Sequence, residues 1–369
     1  SRSRAALVSG NKLSVLDITT KDVSVLLTQM LQGDTDGDFI VQVAFDEHKH
    51  LLVAWKFKLL QYFHITQSLQ EDSSVSKHVL SLAKQTKTEK MVTSLAYSTH
   101  YKAFVIGERS GQISWWDTER EEQDTTFSSL PDIKEYQRKT PTTPALLSGT
   151  CSIISHLELD NERSRVMTSD RESKIRVAYF PNAYNIEGFC LGHKEFVSRF
   201  VQIAPALIAS GGGDGTVRLW DLLSFSCLAS WSSTLASDDT FPFCFHSASS
   251  SLFVRVENSL RIIKWNQSKE KGVAEIVESQ KFERLSPIDA FIGADGSVWV
   301  TTRSAPWAVL FEYNGESFNL VDSPNVDFQP LISSSEINQE LVDHIDLKMF
   351  HRKVFLEKDQ KKRKIAADE

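Results

Sequence analysis

Short apolar runs recur along this chain with a period of two and are broken by glycine- or acid-rich turns. Phe39-Ile-Val-Gln-Val-Ala-Phe45 and Leu51-Leu-Val-Ala-Trp55 flank the turn Asp46–His50. Val92–Tyr97, Ala103–Ile106 and Gln112–Trp116 form the next set, and Ile153–Leu157, Arg165–Thr168 and Lys174–Ala178 the one after. The same arrangement returns in Phe196–Phe200, Leu207–Ser210 and Thr216–Trp220, then from Phe241 to Trp265, and again from Ile288 to Tyr313. Alternation in runs this short predicts β-strands rather than helices. Ala6–Asp17 supplies part of a further unit around Gly10, and its N-terminal strand is expected to close the assembly by pairing with strands from the C-terminal end. Thr66–Lys90 is polar without periodicity and reads as a loop. Residues 119–144 form a long polar insertion carrying Lys134, Arg138 and Lys139. After Val321 the period changes. Ser333-Ser-Ser-Glu336 is a capping box, and Ile337, Leu341 and Ile345 follow at helical spacing.

One unit is complete enough to type the repeat. Gly192 to Asp221 opens with Gly192-His193, turns at Gly211-Gly-Gly-Asp214-Gly215 and closes with Trp220-Asp221. This is the pattern of a WD repeat, one blade of a β-propeller, at about 40 to 45 residues per blade. In such repeats a His, a strand Ser, a turn Asp and a Trp share a hydrogen-bond chain; here they are His193, Ser210, Asp214 and Trp220. The glycine run also invites a phosphate-cradling reading, but that requires a helix directly after it. The residues after Gly215 instead alternate as a strand. The fold class is therefore all-β: a seven-bladed WD-repeat propeller over residues 1–322, with a short helical and basic tail over 323–369.

Composition adjusts this picture in three places. The four cysteines, Cys151, Cys190, Cys227 and Cys244, have no metal or redox spacing and read as reduced thiols inside a cell. No apolar run approaches the roughly 20 residues that span a bilayer. The net charge of −7 argues against a surface that coats nucleic acid. Yet Lys358, Lys361, Lys362, Arg363 and Lys364 crowd the tail, enough for a local phosphate contact or a nuclear import signal. No strand–loop–helix glycine motif, nucleophile–base pair or ligand cluster stands out, so neither catalytic residues nor a cofactor or metal are expected.

The fourth unit departs from the repeat. Gly149-Thr150 replaces Gly-His, and aligned on the fifth unit Arg176 matches Arg218 while Ala178 matches Trp220. Charge is concentrated instead in the hairpin: Asp170, Arg171, Glu172, Lys174 and Arg176 lie within seven positions. In the third unit Trp116 aligns with Trp220 and Ser110 with Asp214. The hairpin Ser169–Val177, SDRESKIRV, followed by Gly188–Arg199, GFCLGHKEFVSR, resembles the WD-repeat, non-catalytic subunit of the tRNA (guanine-N7-)-methyltransferase. The resemblance is close from about Gly107 to Asp221. It implies a scaffold whose partner, the catalytic subunit, holds S-adenosylmethionine and methylates N7 of a guanine in the tRNA variable loop. It further implies a heterodimer, tRNA bound through the complex, and a nuclear location with the cytoplasm as an additional one. Carried residue by residue, it makes Asp170, Arg171, Glu172, Lys174 and Arg176 the docking hairpin, with Ser173 where the family often has an acid. Arg176 is expected to face outward beside Lys174 and to pair with an acid of the partner. The competing class is a general WD-repeat scaffold, such as a ubiquitin-ligase substrate receptor or a chromatin-complex subunit. Such ligase receptors often carry Arg two residues after Trp-Asp, a position filled here by Glu119 and Leu223. A propeller enzyme would need acids or histidines clustered at the strand entries.

Overall fold

The structure is a computed structural model. It describes residues 3–9, 11–18, 23–35, 38–46, 48–69, 76–118, 144–233, 240–267, 274–293, 295–303 and 308–321. These residues form seven antiparallel sheets in sequence order. Blade 1 has three strands, β1 (Ser3–Ser9), β2 (Lys12–Ile18) and β3 (Val23–Met30). Blade 2 comprises β4 (Ile40–Phe45), β5 (Leu51–Trp55), β6 (Leu59–Leu69) and β7 (Ser76–Lys87). Blade 3 comprises β8 (Val92–Ser98), β9 (Ala103–Glu108), β10 (Gln112–Trp116) and β11 (Ala145–Gly149). Blade 4 has β12 (Ile154–Asp160), β13 (Arg165–Asp170), β14 (Lys174–Tyr179) and β15 (Ile186–Leu191). Blade 5 has β16 (Val197–Ala204), β17 (Leu207–Gly212), β18 (Thr216–Asp221) and β19 (Cys227–Ser232). Blades 6 and 7 come next with β20 (Thr240–His246), β21 (Ser251–Val256), β22 (Ser259–Gln267), β23 (Ala274–Phe282), and β24 (Pro287–Ile292), β25 (Val298–Thr302), β26 (Ala308–Tyr313), β27 (Phe318–Val321).

Hydrophobic packing explains the ring. Each blade is a sheet with two faces, and neighbouring blades cover both. Among the described residues, six cores fill junctions between consecutive blades; Trp55 anchors the first, Trp116 the second and Trp220 the fourth. The middle strands are therefore buried from end to end, as in Leu51–Trp55 and Ala103–Glu108. This resembles the two-sided burial of parallel sheets more than the one-sided alternation of an open antiparallel sheet. It also settles the fifth unit, where Val217, Leu219 and Trp220 are all buried despite pointing to opposite faces.

Thr66–Lys90 is not a loop. Its described part continues β6 and forms most of β7, and the two strands pair from Leu59↔Lys87 to Leu69↔Ser76. The outermost strand of a blade has little to bury, and Ser81, Leu82, Gln85 and Lys87 are exposed. An apolar alternation is then not required, and the pattern that marks strands is missing. The capping box, the helix after Val321 and the insertion at 119–143 lie outside the described residues. Among the described residues no helix is long and apolar enough to cross a membrane.

Candidate docking face on blade 4

An antiparallel four-stranded meander sends its second turn and its exit loop to the same end of the sheet. The turn between the second and third strands of blade 5 therefore meets the loop that enters it from blade 4. His193, in that loop, shares its Nε2 with Ser210 Oγ at 2.7 Å, and Trp220 Nε1 donates to the same oxygen at 2.7 Å. On the other side His193 Nδ1 lies 3.0 Å from Asp214 Oδ1. A neutral imidazole protonated on Nδ1 satisfies the whole chain: Trp220 donates to Ser210, Ser210 to His193, and His193 to Asp214. Burial raises the Asp214 carboxyl. The hydrogen bond from His193, with those from the Lys194 N–H and the Thr216 hydroxyl, outweighs that and holds it well below the usual carboxylate range. All four groups find partners within the chain, which thereby clamps the hairpin to the loop that enters the blade. Blade 3 lacks it: Trp116 is buried, and its Nε1 has no hydrogen-bond partner.

Blade 4 builds the equivalent hairpin from charge. Ser173 takes φ 67° where blade 5 has Gly215 at 71°. Asp170 Oδ1 accepts from the N–H groups of Glu172 at 2.9 Å and Lys174 at 3.1 Å, tying the turn together. Burial pushes the Asp170 carboxyl up, against the pull of those two N–H groups. Asp170 is thus turned inward. Arg171 is half-buried beside Glu172, with Nη2 3.8 Å from Oε1, and Glu172 and Lys174 are exposed.

Arg176 does not face outward. It is only 8% exposed. Its Nη1 donates to Gly149 O at 3.2 Å, and its Nη2 donates to Ser148 Oγ at 2.9 Å and Ala183 O at 2.7 Å. Its burial depresses the guanidinium pKa. Strand alternation does place it on one face of β14 with Lys174, but that face looks at blade 3. Lys174 stands at the strand end, past the packed region, and escapes. The hairpin therefore presents Arg171, Glu172 and Lys174, while Asp170 and Arg176 hold it from within.

The sequence reading missed the apolar part of this face. Residues opposite each other in a ladder project to the same side, so Phe189 shares the face of Arg176 and Leu191 that of Lys174. Leu191 is 61% exposed, Tyr184 59%, and Phe189 and Ile186 are exposed as well; Leu146, on β11 of the neighbouring blade, adds another. Exposed apolar side chains occur on other outer strands too, among them Val25 and Met30 on β3 and Leu228 on β19, but β15 and the loop before it gather four: Tyr184, Ile186, Phe189 and Leu191. The apolar β15 was visible in the sequence, but only its position as an outermost strand shows that its side chains are exposed. Lys358, Lys361, Lys362, Arg363 and Lys364 lie outside the described residues. Among the described residues no three His, Cys, Asp or Glu side chains are grouped to hold a metal ion.

Blade order, inter-blade cores and the Trp–Ser–His–Asp chain define a WD-repeat β-propeller. Solved propellers agree: the C-terminal WD40 domain of Sif2 aligns at TM-score 0.57 with 13% identity over 87% of this chain and 93% of that one. The WD40 propeller of Doa1 aligns at 0.56 and 13% over 90% and 92%. Such identities speak for the fold alone. Residues 117–282 match the family described as the tRNA methyltransferase TRM82 WD40 domain. A relative from Culex quinquefasciatus, named the tRNA (guanine-N(7)-)-methyltransferase non-catalytic subunit wuho, is 45% identical over 98 residues, 27% of this chain and 23% of its own. The wuho subunit of Drosophila melanogaster is 38% identical over 80 residues, 22% and 19% of the two chains. The match thus spans about a fifth to a quarter of these relatives' length.

Proposed function

We propose that this protein is the non-catalytic scaffold subunit of a tRNA (guanine-N7-)-methyltransferase, and that blade 4 docks the catalytic subunit. The observation that carries the reading is the exposed apolar strip of β15 beside the mixed-charge hairpin, within the segment that matches the family. Apolar side chains ringed by charge are what a specific protein interface offers, the apolar groups for burial and the charges for orientation. Leu191, Phe189 and Ile186 supply the buried centre, while Arg171, Glu172 and Lys174 steer the partner. Arg176 and Asp170 position the face without touching the partner. The partner brings S-adenosylmethionine and the methyl transfer; the propeller contributes rigidity and a docking surface, and the complex binds tRNA. The basic tail, Lys358 to Lys364, adds phosphate contacts and nuclear import.

Co-purification with the catalytic subunit tests this. Leu191→Glu should leave the melting temperature of the free propeller unchanged, because the side chain is already largely in water. Association should weaken about 30-fold or more, the scale of a central interface residue at about 2 kcal/mol. Full binding by the variant would move the interface off blade 4.

A further inference from the structure

Turns at one end of consecutive blades gather positive charge. Each turn between a second and third strand is tied to the loop that follows the blade's own outer strand. The N–H of Thr88 donates to Lys58 O, that of Thr150 to Gly111 O and that of Ser233 to Gly215 O. Each turn is tied equally to the loop that enters its blade: Arg109 N–H donates to Met91 O, Arg171 N–H to Ile153 O and Gly213 N–H to Phe196 O. These bonds align the turns. Lys56-Phe57-Lys58 of blade 2 matches Arg109-Ser110-Gly111 of blade 3, Arg171-Glu172-Ser173 of blade 4 and Gly213-Asp214-Gly215 of blade 5. A basic residue thus opens the turn in blades 2, 3 and 4, and blade 2 adds a second. In blade 6 the turn is Glu257-Asn258. The chain as a whole carries a net charge of −7, so this is a local feature.

The loop at 88–91 brings three of the cations together. Thr88 Oγ1 reaches Lys58 O at 3.2 Å and Lys90 O at 2.7 Å, and the Lys90 N–H donates to the carboxyl of buried Glu108 at 2.9 Å. With Arg109 bonded to Met91, the residues Lys58, Lys90 and Arg109 sit on one braced stretch of backbone, and all three are exposed. Lys87 is paired with Asp34 at 2.5 Å, and Glu89 accepts from Gln112 Nε2 at 3.1 Å. Lys58, Lys90 and Arg109 make no ion pair among the described residues. Phe57 is the second feature. Its ring is 44% exposed, although its N–H is held by the buried Asp38 Oδ1 at 3.1 Å. Lys56 Nζ braces the turn from 4.7 Å above the Phe39 ring and 5.5 Å above that of Phe57. Lys58 takes φ 76°, where blades 3 and 5 place Gly111 and Gly215. Glycine would make this turn without strain, so turn geometry does not account for a lysine here.

We infer that this arc is an RNA contact of the propeller itself, with Lys58, Lys90 and Arg109 on backbone phosphates and Phe57 stacking an unpaired base. A row of cations suits a phosphodiester chain, whose charge is the same at every nucleotide. A rigid, exposed aromatic ring among those cations is a platform for any base that has left its stack. An acidic protein surface would use the cations but not the ring. The inference rests on the reading of this chain as a subunit of a tRNA-modifying enzyme, which supplies the RNA. The next basic turn along is that of Arg171, in the docking hairpin. RNA held on blades 2 and 3 therefore runs toward a catalytic subunit docked on blade 4.

Binding of a tRNA to the full chain, followed by fluorescence anisotropy across a salt series, tests this in two variants. Lys58→Gly combined with Lys90→Gln and Arg109→Gln removes the cations. Its melting temperature should not fall, because the side chains are exposed and glycine relaxes position 58. Its affinity for tRNA should drop at least about 10-fold, and the slope of log K against log salt should flatten by about 2 to 3. Phe57→Ser copies the turn of blade 3. It should weaken tRNA binding about 5-fold or more, keep the salt slope, and leave a fully paired RNA duplex bound as before. Both variants should co-purify with the catalytic subunit as the wild type does. Should the triple variant melt early, Arg109→Gln alone carries the charge test, with a slope change of about 1. Unchanged tRNA affinity and salt slope would overturn the inference. So would loss of the catalytic subunit from the triple variant, which would make the arc a protein interface. Duplex binding weakened by Phe57→Ser as much as tRNA binding would overturn the stacking role. Undisturbed association in Leu191→Glu, by contrast, would remove the blade 4 interface and leave the arc standing.

Discussion

Replacing Arg176 with Leu separates a positioning role from a partner contact. The guanidinium donates to Ser148, Gly149 and Ala183, and so ties β14 to the outer strand of blade 3 and to its own exit loop. Gly149 is exposed and water can replace the lost donor there, whereas Ala183 is fully buried. Leaving that carbonyl unpaired costs about 1 to 3 kcal/mol, and loss of the charge-assisted bond to Ser148 adds about 1 to 2. Leucine recovers part of this by filling the apolar stem's space. The net destabilisation should be about 2 to 4 kcal/mol, a large part of the roughly 5 to 15 kcal/mol that holds a typical domain folded. Melting of the free propeller should fall by about 4 to 8 °C, at roughly 2 °C per kcal/mol for a chain of this size. Thermal denaturation of wild type, Arg176→Leu and Arg176→Lys, each without partner, measures it; the lysine variant should fall between the other two, since it keeps the charge but not the fork. An unchanged melt in Arg176→Leu, together with lost partner binding, would refute the internal role and return Arg176 to the interface.

Other outcomes rest on the same geometry. The Asp214 carboxyl is held below its unfolded value, so the native state resists its protonation. Its stabilisation is complete above the ordinary carboxylate pKa of about 4 and fades as pH falls through the lower native value. Wild type should lose stability more steeply below pH ~4 than Asp214→Asn, which should be less stable at pH 7; equal acid slopes would contradict the reading. Burial pushes the thiols of Cys190 and Cys244 up to about 12, while Cys151 and Cys227 are exposed. A thiolate-specific reagent at pH ~8 should modify only Cys151 and Cys227 until the protein is unfolded, as mass spectrometry of the labelled peptides would report.

Much of this architecture can be read in the chain by itself. Local chemistry wrote it there: the tight turn at Gly211–Gly215, the strand runs between turns, and the His193, Ser210, Asp214 and Trp220 chain, whose members lie within one blade and its entry loop. The charged hairpin of blade 4 was legible for the same reason, being a contiguous stretch. Direction was not. Alternation tells which residues share a face, but not whether that face meets water or the next blade. Arg176 and Lys174 share one and have opposite fates, because only the packing of blade 3 against β14 separates them. Outer strands were illegible for a related reason. With one edge and most of one side in water, β7 carries no pattern, and the apolar β15 looks like any buried strand until the fold places it on the rim. The sequence determined the repeat and its clamp; the ring of blades decided which side chains are left to meet a partner, because burial in a propeller is settled between blades rather than within them.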